Sequence, residues 1–338
     1  MSLFILYNDD VRVGCFRTKN SLVVDFIPEK PDLLPMQILN TAADGFSSWL
    51  CDRAIDLSNF HHRNLMNELY GTRDKILLAL RTHMFSISDT FTCFKDGEFT
   101  PRLQLYQPED QNAVSDFMLA SNRTELRGLN LATPNASTDG SFTKTWRFEN
   151  GTWWLYKIQT RAATEAEVQI SRVLRSIGWD AAVYNYVGRY RKRVRTQNFL
   201  QPGEFFEPYD SFRFCFNDPS DDDNVIFRNI ASMGPAFEEA WRRITLADAV
   251  FVNTDRHMRN FGVIRSSRTG EILRMAPNFD NNQAYLANPS ASYSNGMLRL
   301  FMKQADEQDH ENLGVLFRAL EDYPYFKDAY NACREFMR

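Results

Sequence analysis

Asn253-Thr-Asp-Arg-His-Met-Arg-Asn-Phe261, followed by Met275-Ala-Pro-Asn-Phe-Asp280, carries more chemistry than any other part of the sequence. Asp255 and Asn260 stand five residues apart, and Asp280 follows twenty residues after Asn260. Phosphoryl transfer needs a carboxylate to take or orient the nucleophile's proton, an amide oxygen to hold a metal, and a second carboxylate to hold metal against the phosphates. Asp255, Asn260 and Asp280 supply those groups in that order. The spacer suggests how they meet. Phe261-Gly-Val-Ile264 and Glu271–Met275 are short apolar runs and Ser266–Gly270 carries turn chemistry, which predicts a β-hairpin. A hairpin folds its ends together, so Asn260 and Asp280 are expected at one end, within reach of one divalent cation whose oxygen ligands lie at about 2 to 2.6 Å. The plain alternative is a polar loop, since Asp and Asn are common there and the Asp-to-Asn spacing alone arises by chance.

Working outward, the composition bounds what this site can belong to. The chain has 338 residues, a net charge of −4 and 43% hydrophobic residues, which fits a soluble globular protein of roughly two domains. No run of about 18 apolar residues occurs, and the N-terminus lacks the features of a signal peptide, so neither membrane spanning nor secretion is expected. The five cysteines are odd in number, scattered and without a C-x-x-C, which suggests no disulfide framework and no zinc site. A reducing cytoplasm is the expected location.

Upstream, Leu3–Tyr7, Val11–Val13 and Ser21–Ile27 read as short strands of a meander, and 35–82 turns helical, with His61 and His62 as solvated turn residues. Gln107–Arg127 reads as polar and loop-like around Val114–Leu119, and marks a soft boundary. Thr133-Pro-Asn-Ala-Ser-Thr-Asp-Gly-Ser-Phe142 is rich in small, hydroxyl and turn residues ahead of two strands joined by Glu149-Asn-Gly151. Ser137, Thr138, Gly140 and Ser141 of that loop are candidates to close over phosphates through N–H groups and hydroxyls, although most such loops are only loops. Period-two alternation puts Lys157 on one face with Leu155, pointing inward, where it needs an anion. Thr164-Glu-Ala-Glu167 reads as the capping box of a helix ending at Gly178, with Glu167 as the candidate partner of Lys157 and Glu165 as its rival. The plain reading is a surface lysine and a capping glutamate.

Together, Asn253–Asn260, Asn278-Phe-Asp280, the Thr133–Phe142 loop, Lys157 and Glu167 resemble the HipA-like kinases, Ser/Thr protein kinases distantly similar to phosphatidylinositol 3- and 4-kinases. The resemblance covers roughly Asn130 to the C-terminus. It implies a two-lobed α+β protein-kinase-like fold with an N-terminal extension, ATP and Mg²⁺ as cofactors, Asp255 as catalytic base, Asn260 and Asp280 as metal ligands, Lys157 as the phosphate contact and Glu167 as its partner. Residues 1–107 do not align with the small N-terminal domain of HipA toxins, which leaves the antitoxin-like regulatory partner open.

The remaining segments are compatible with that family. Asn198–Pro208 passes from strand to turn like the hinge through which kinases bind adenine by backbone groups, making Phe206 and Glu207 nucleotide candidates. The basic residues 189, 191, 192, 193 and 195 read as a solvated face, and the net charge argues against general nucleic-acid binding. Pro235–Val252 reads as a long helix delivering Asn253 and Asp255 into the site. His257 either orients the Asp255 loop, contacts phosphate, or is a satisfied structural histidine. The expected organisation is an extension over 1–107, a nucleotide-binding lobe over 108–207 and a mostly helical catalytic lobe over 208–338. The expected activity is transfer of the γ-phosphoryl group to a Ser or Thr hydroxyl of a protein. A lipid or small-molecule acceptor, or a non-catalytic partner-binding protein on a kinase fold, are the alternatives.

Overall fold

The strands follow the β-branched and aromatic runs of the sequence. In a computed structural model, described over residues 1–40, 42–55, 63, 70–105, 108–120, 132–137, 143–285 and 293–337, the chain is mixed α+β. In chain order the strands are β1 (Ser2–Asn8), β2 (Val11–Lys19), β3 (Leu22–Pro28), β4 (Phe91–Lys95), β5 (Thr143–Glu149), β6 (Thr152–Ile158), β7 (Tyr184–Val187), β8 (Arg193–Gln197), β9 (Glu204–Pro208), β10 (Gly262–Ser266) and β11 (Ile272–Met275). The described residues form two compact units. One comprises Met1–Ile158, Asn198–Asn217 and Val263–Leu273; the other comprises Gln159–Gln197, Asp218–Gly262 and Arg274–Arg338.

The first unit holds an antiparallel sheet in the order β3-β2-β1-β4. The β2–β3 turn is Asn20-Ser21, both left-handed, the type I′ geometry whose twist matches the flanking strands. β4, which the sequence reading did not anticipate, pairs with β1 from Phe4 opposite Lys95 to Asn8 opposite Phe91. Leu6, Val13 and Phe16 turn to one face and pack with Phe46, Trp49 and Leu50 of the helix Ala42–Asp52. Residues 108–120 are helical rather than loop-like. The cause is tertiary: Val114 and Met118 are buried, and the Asn112 side chain exchanges hydrogen bonds with the Phe148 backbone of β5. β5 and β6 are joined by Asn150-Gly151, both at positive φ, the strongest short-range hairpin signal.

The hairpin expected between the two halves of the motif is present as β10 and β11, in a sheet of order β11-β10-β9. Its turn closes through Ser266 N–H to Glu271 O at 2.9 Å and its open end through Ala276 N–H to Gly262 O at 2.9 Å. Gly270 sits in that turn at φ +76°, where an added Cβ would lie 1.9 Å from the Asp32 carbonyl oxygen.

The second unit is mostly helical. Ile170, Val173 and Leu174 of the helix Arg161–Ser176 share one core with Leu246, Val250 and Phe251 of Pro235–Phe251, Leu313 and Leu316 of Glu307–Leu320, and Phe326. The helix 161–176 begins one turn before the expected capping box. Thr160 is its N-cap, accepting from Ala163 N–H at 3.1 Å, and Thr164 and Glu167 lie inside it, buried. A Thr one turn earlier with extended backbone offers the same cap, and burial of the Thr164 face decides between them. The helix ends as expected, with Gly178 at φ +77° and Trp179 N–H donating to Leu174 O at 2.9 Å.

Candidate active site

The motif emerges from the helix 235–251. Pro235 opens it at a position where no N–H is needed, and its buried face carries Trp241, Ile244, Asp248 and Phe251. It stops at Val252, which takes φ +52° so that Asn253 N–H donates back to Asp248 O at 2.9 Å. That is a glycine's job done by a β-branched residue. The chain then leaves in a fixed direction, and Asn253 Nδ2 donates to Asp248 Oδ1 at 3.0 Å and to Asn281 Oδ1 at 3.3 Å.

The loop 253–260 is built on its own backbone. His257 N–H donates to Asp255 O at 3.0 Å and Asn260 N–H to His257 O at 2.7 Å. Asn260 is buried, and its Nδ2 donates to Asp255 O at 3.0 Å. That commitment of the amide nitrogen leaves Oδ1 as the electron-pair end. Asp255 is exposed. His257 is exposed as well, and its Nδ1 accepts from Arg259 N–H at 3.2 Å, which puts the ring proton on Nε2. Both its main chain and its ring thus bond within the loop 253–260.

Asp280 sits on a segment pinned from behind. Asn278 N–H donates to Asp180 O and Ala182 N–H to Asn278 O, both at 2.9 Å, making a short parallel bridge. Asp280 itself is left-handed at φ +59°, a conformation that Asp tolerates better than most residues. Its N–H donates to the Tyr184 hydroxyl at 3.1 Å, and its Oδ1 accepts from Asn282 Nδ2 at 3.0 Å.

Arg256 joins these pieces. Its Nε and Nη2 grip both oxygens of Asp248 at 2.8 Å, and Nη2 also reaches Asn281 Oδ1 at 3.0 Å. Its Nη1 donates to Asn260 O at 2.9 Å and to Phe279 O at 2.6 Å. Burial works against its charge, but Asp248, then Asp280, more than compensate and hold the guanidinium pKa above its ordinary value. From sequence, Arg256 is quoted within the motif without a task and Asp248 is placed only inside the helix Pro235–Val252. The available signal was an acid on the apolar side of a helix, eight residues before an arginine in the motif.

The oxygen donors suit a hard cation. Mg²⁺ takes one or two carboxylates and keeps waters or phosphates for the rest. Asn260 Oδ1 and the Asp280 carboxylate are that kind of set. Among the described residues no group of three or more His, Cys, Asp or Glu gathers as an all-protein cage. The buried Asn282 Oδ1, beside Asp280, has no hydrogen-bond partner among the described residues.

The remaining candidates are placed as follows. Lys157 is buried on β6, opposite Lys144 of β5. Glu167 is fully buried in helix 161–176 and accepts from Gln159 Nε2 at 2.7 Å. Its rival Glu165 is taken up by the Tyr186 hydroxyl and by Arg191 Nη1, the latter at 2.7 Å. Burial raises the Glu165 pKa, but Tyr186 and Arg191 outweigh it and hold the carboxyl below its ordinary value. Ser137 ends a 3₁₀ turn, its hydroxyl donating to Phe85 O at 3.2 Å and Pro134 O at 2.9 Å. Thr138, Gly140 and Ser141, like His61 and His62, lie outside the described residues. The hinge candidates have other engagements. Phe206 N–H donates to Ser88 O at 2.9 Å. Buried Glu207 pairs with Arg265 at 2.5 Å and accepts from Met36 N–H and the Ser211 hydroxyl, each at 2.6 Å.

No family model and no curated protein matches the sequence. Solved structures do match the fold. HipA of Shewanella oneidensis, from its complex with HipB and operator DNA, superposes with a TM-score of 0.61 over 99% of this chain and 97% of that one, at 14% identity. The chain thus has the mixed α+β, kinase-like fold of HipA, and the likeness reaches the segment before residue 108 that the motifs did not touch. The proinflammatory kinase CtkA of Helicobacter pylori is a looser match, with a TM-score of 0.44 over 57% of this chain and 89% of that one at 15% identity, and adds no argument. No helix among the described residues is long and apolar enough to cross a membrane.

Proposed function

We propose that this protein is an ATP- and Mg²⁺-dependent kinase that transfers the γ-phosphoryl group to a Ser or Thr hydroxyl of a protein. The observation that carries the reading is the single guanidinium of Arg256 bonded to both Asn260 O and Phe279 O, which gathers the base loop and the metal-carboxylate segment into one frame. Bound there, magnesium–ATP supplies the phosphoryl group and neutralises its developing charge. Asn260 Oδ1 and the Asp280 carboxylate would hold the cation. Exposed Asp255 orients the acceptor hydroxyl and takes its proton as the new O–P bond forms and the bond to the β-phosphate oxygen breaks. His257 steadies that loop. Positioning and charge placement account for most of the rate. The HipA likeness also makes a HipB-like regulatory protein the partner to test.

The test is incubation of purified wild type, Asp255→Ala and Asp280→Ala with Mg²⁺ and γ-labelled ATP, in the presence of candidate protein acceptors. Wild type is expected to transfer label to Ser or Thr. Asp255→Ala is expected to lose turnover by about 10²-fold or more while still binding nucleotide, and Asp280→Ala to lose metal-dependent nucleotide binding as well. Full turnover by Asp255→Ala would refute the assignment, and label found only on lipid would move the acceptor class.

A further inference from the structure

The site residues supplied by the sequence reading are those that would touch metal, nucleotide or acceptor. The structure adds a pair that touches none of them. Asp248 and Arg256 are both buried, with side-chain exposures of 7% and 9%. Between them they bond to three separate stretches: the last turn of helix 235–251, the loop 253–260, and the segment 278–282. The Asp248 carboxylate receives Arg256 Nε, Arg256 Nη2 and Asn253 Nδ2. The Arg256 fork then spends its remaining donors on the Asn260 and Phe279 carbonyls and on Asn281 Oδ1. Asn281 in turn donates to Asn278 Oδ1 at 2.8 Å, on the residue that forms the parallel bridge.

Only a planar, multi-donor cation can do this. A guanidinium presents five N–H groups in a fixed fork, whereas an ammonium is a point charge with three rotating donors. Three of the five bonds Arg256 makes reach acceptors within one residue of Asn260 or Asp280, or on Asn260 itself. A shift of its plane would therefore move both candidate metal-holding residues together. We infer that Asp248 and Arg256 form a positioning couple that sets the spacing between the metal-holding residues Asn260 and Asp280, and through Asn253 the direction of the Asp255 loop. The inference rests on the kinase reading above and names the residues on which its geometry depends.

The experiment uses the full chain, with Arg256→Lys and Asp248→Asn beside wild type. Arg256→Lys keeps the positive charge but not the fork, and Asp248→Asn keeps the size but not the charge; thermal melting establishes that each is folded at the assay temperature, and if one is not, the other alone decides. Mn²⁺ binding in the presence of ATP is read by electron paramagnetic resonance, and turnover is measured as a function of Mg²⁺ concentration. The expected result is metal affinity weakened about 10- to 100-fold with kcat lowered alongside it, the usual effect of losing an outer-shell partner. Arg256→Lys is expected to lose metal affinity although it retains a cation against Asp248, because an ammonium cannot reach Asn260 O, Phe279 O and Asn281 Oδ1 together. A merely structural couple would lower the melting temperature and leave the metal dependence of the folded protein unchanged; that result overturns the inference while the kinase reading stands. Failure of wild type itself to bind Mn²⁺ with ATP would remove the kinase reading, and the inference with it.

Discussion

Arg265 shows how much a single buried side chain can hold. It is 1% exposed, pairs with Glu207 at 2.5 Å, and donates to the carbonyls of Gly270, Leu34 and Asp32 at 2.8, 2.9 and 2.7 Å. An ordinary buried ion pair can often be exchanged for apolar residues without loss. Here the exchange would also strip three carbonyls of their donor, at about 1–3 kcal/mol for each that stays dry. Arg265→Met is therefore expected to cost at least about 3–5 kcal/mol in urea unfolding, and adding Glu207→Leu should not restore it. Recovery in the double variant would show that the carbonyls find water. The same residue explains why the surroundings of the nucleotide candidate Glu207 were not legible from sequence alone. A short Phe-Phe-Glu strand end looks like a hinge locally, and nothing local announces an arginine 58 residues away or a backbone amide 171 residues away. Asp255, Asn260 and Asp280 could be singled out as candidates because residue type and spacing are carried by the sequence itself. The buried ion pair of Arg256 and Asp248 was not legible, because such a pair is defined by what surrounds it.

Among elements, the legible ones carried their own signals: alternation in β1 to β3, the Asn-Gly turn of β5–β6, the apolar face of helix 235–251, and the hairpin β10–β11 between the motif halves. The missed ones depended on tertiary partners. β4 is five residues completed by β1, and helix 108–120 is ordered by β5 and by burial of Val114 and Met118. The start of helix 161–176 moved by one turn for the same reason. That helix carries a testable electrostatic element. The Tyr186 hydroxyl on β7 donates to Glu165, and Gln169 Nε2 donates to Tyr186 Oη at 2.8 Å. Burial first, and Glu165 second, push the Tyr186 pKa up to about 12. The folded-state pKa of Glu165 lies below its ordinary 4.5, so its contribution is complete above that value and disappears as pH falls through the lowered one. Tyr186→Phe is expected to cost about 1.5–3 kcal/mol at pH 7, as for a hydrogen bond to a charged group. The gap to wild type should narrow at pH 3, measured by urea unfolding at both values. A gap independent of pH would mean that Glu165 gains nothing from the hydroxyl.

At the scale of the whole molecule, chain order and compact units do not coincide, since each unit collects three separate stretches. The first unit's main core includes Phe205, which meets Phe91 edge-on at 5.4 Å, and its Asp32–Met36 backbone is bonded by Arg265 and Glu207. A fragment ending at Ile158 lacks all three. It is expected to give a poorly dispersed amide spectrum and no cooperative melt, and a well-dispersed spectrum would show that those later segments are dispensable. The likeness to HipA over 99% of the chain was out of reach of motif reading for a related reason: a fold is shared through packing, and at 14% identity packing leaves few common letters. One joint in that packing has a further meaning. At Val252 a left-handed backbone in a β-branched residue costs on the order of 1–2 kcal/mol, which a glycine would avoid while giving back roughly 0.5–1 kcal/mol in chain entropy and the contacts of a half-buried side chain. The two sums nearly cancel, so stability hardly distinguishes valine from glycine there. What differs is swivel. A glycine is a ball joint and a valine a welded elbow, and the weld stands three residues ahead of Asp255, so the loop that carries it leaves the helix on a fixed bearing rather than searching for one.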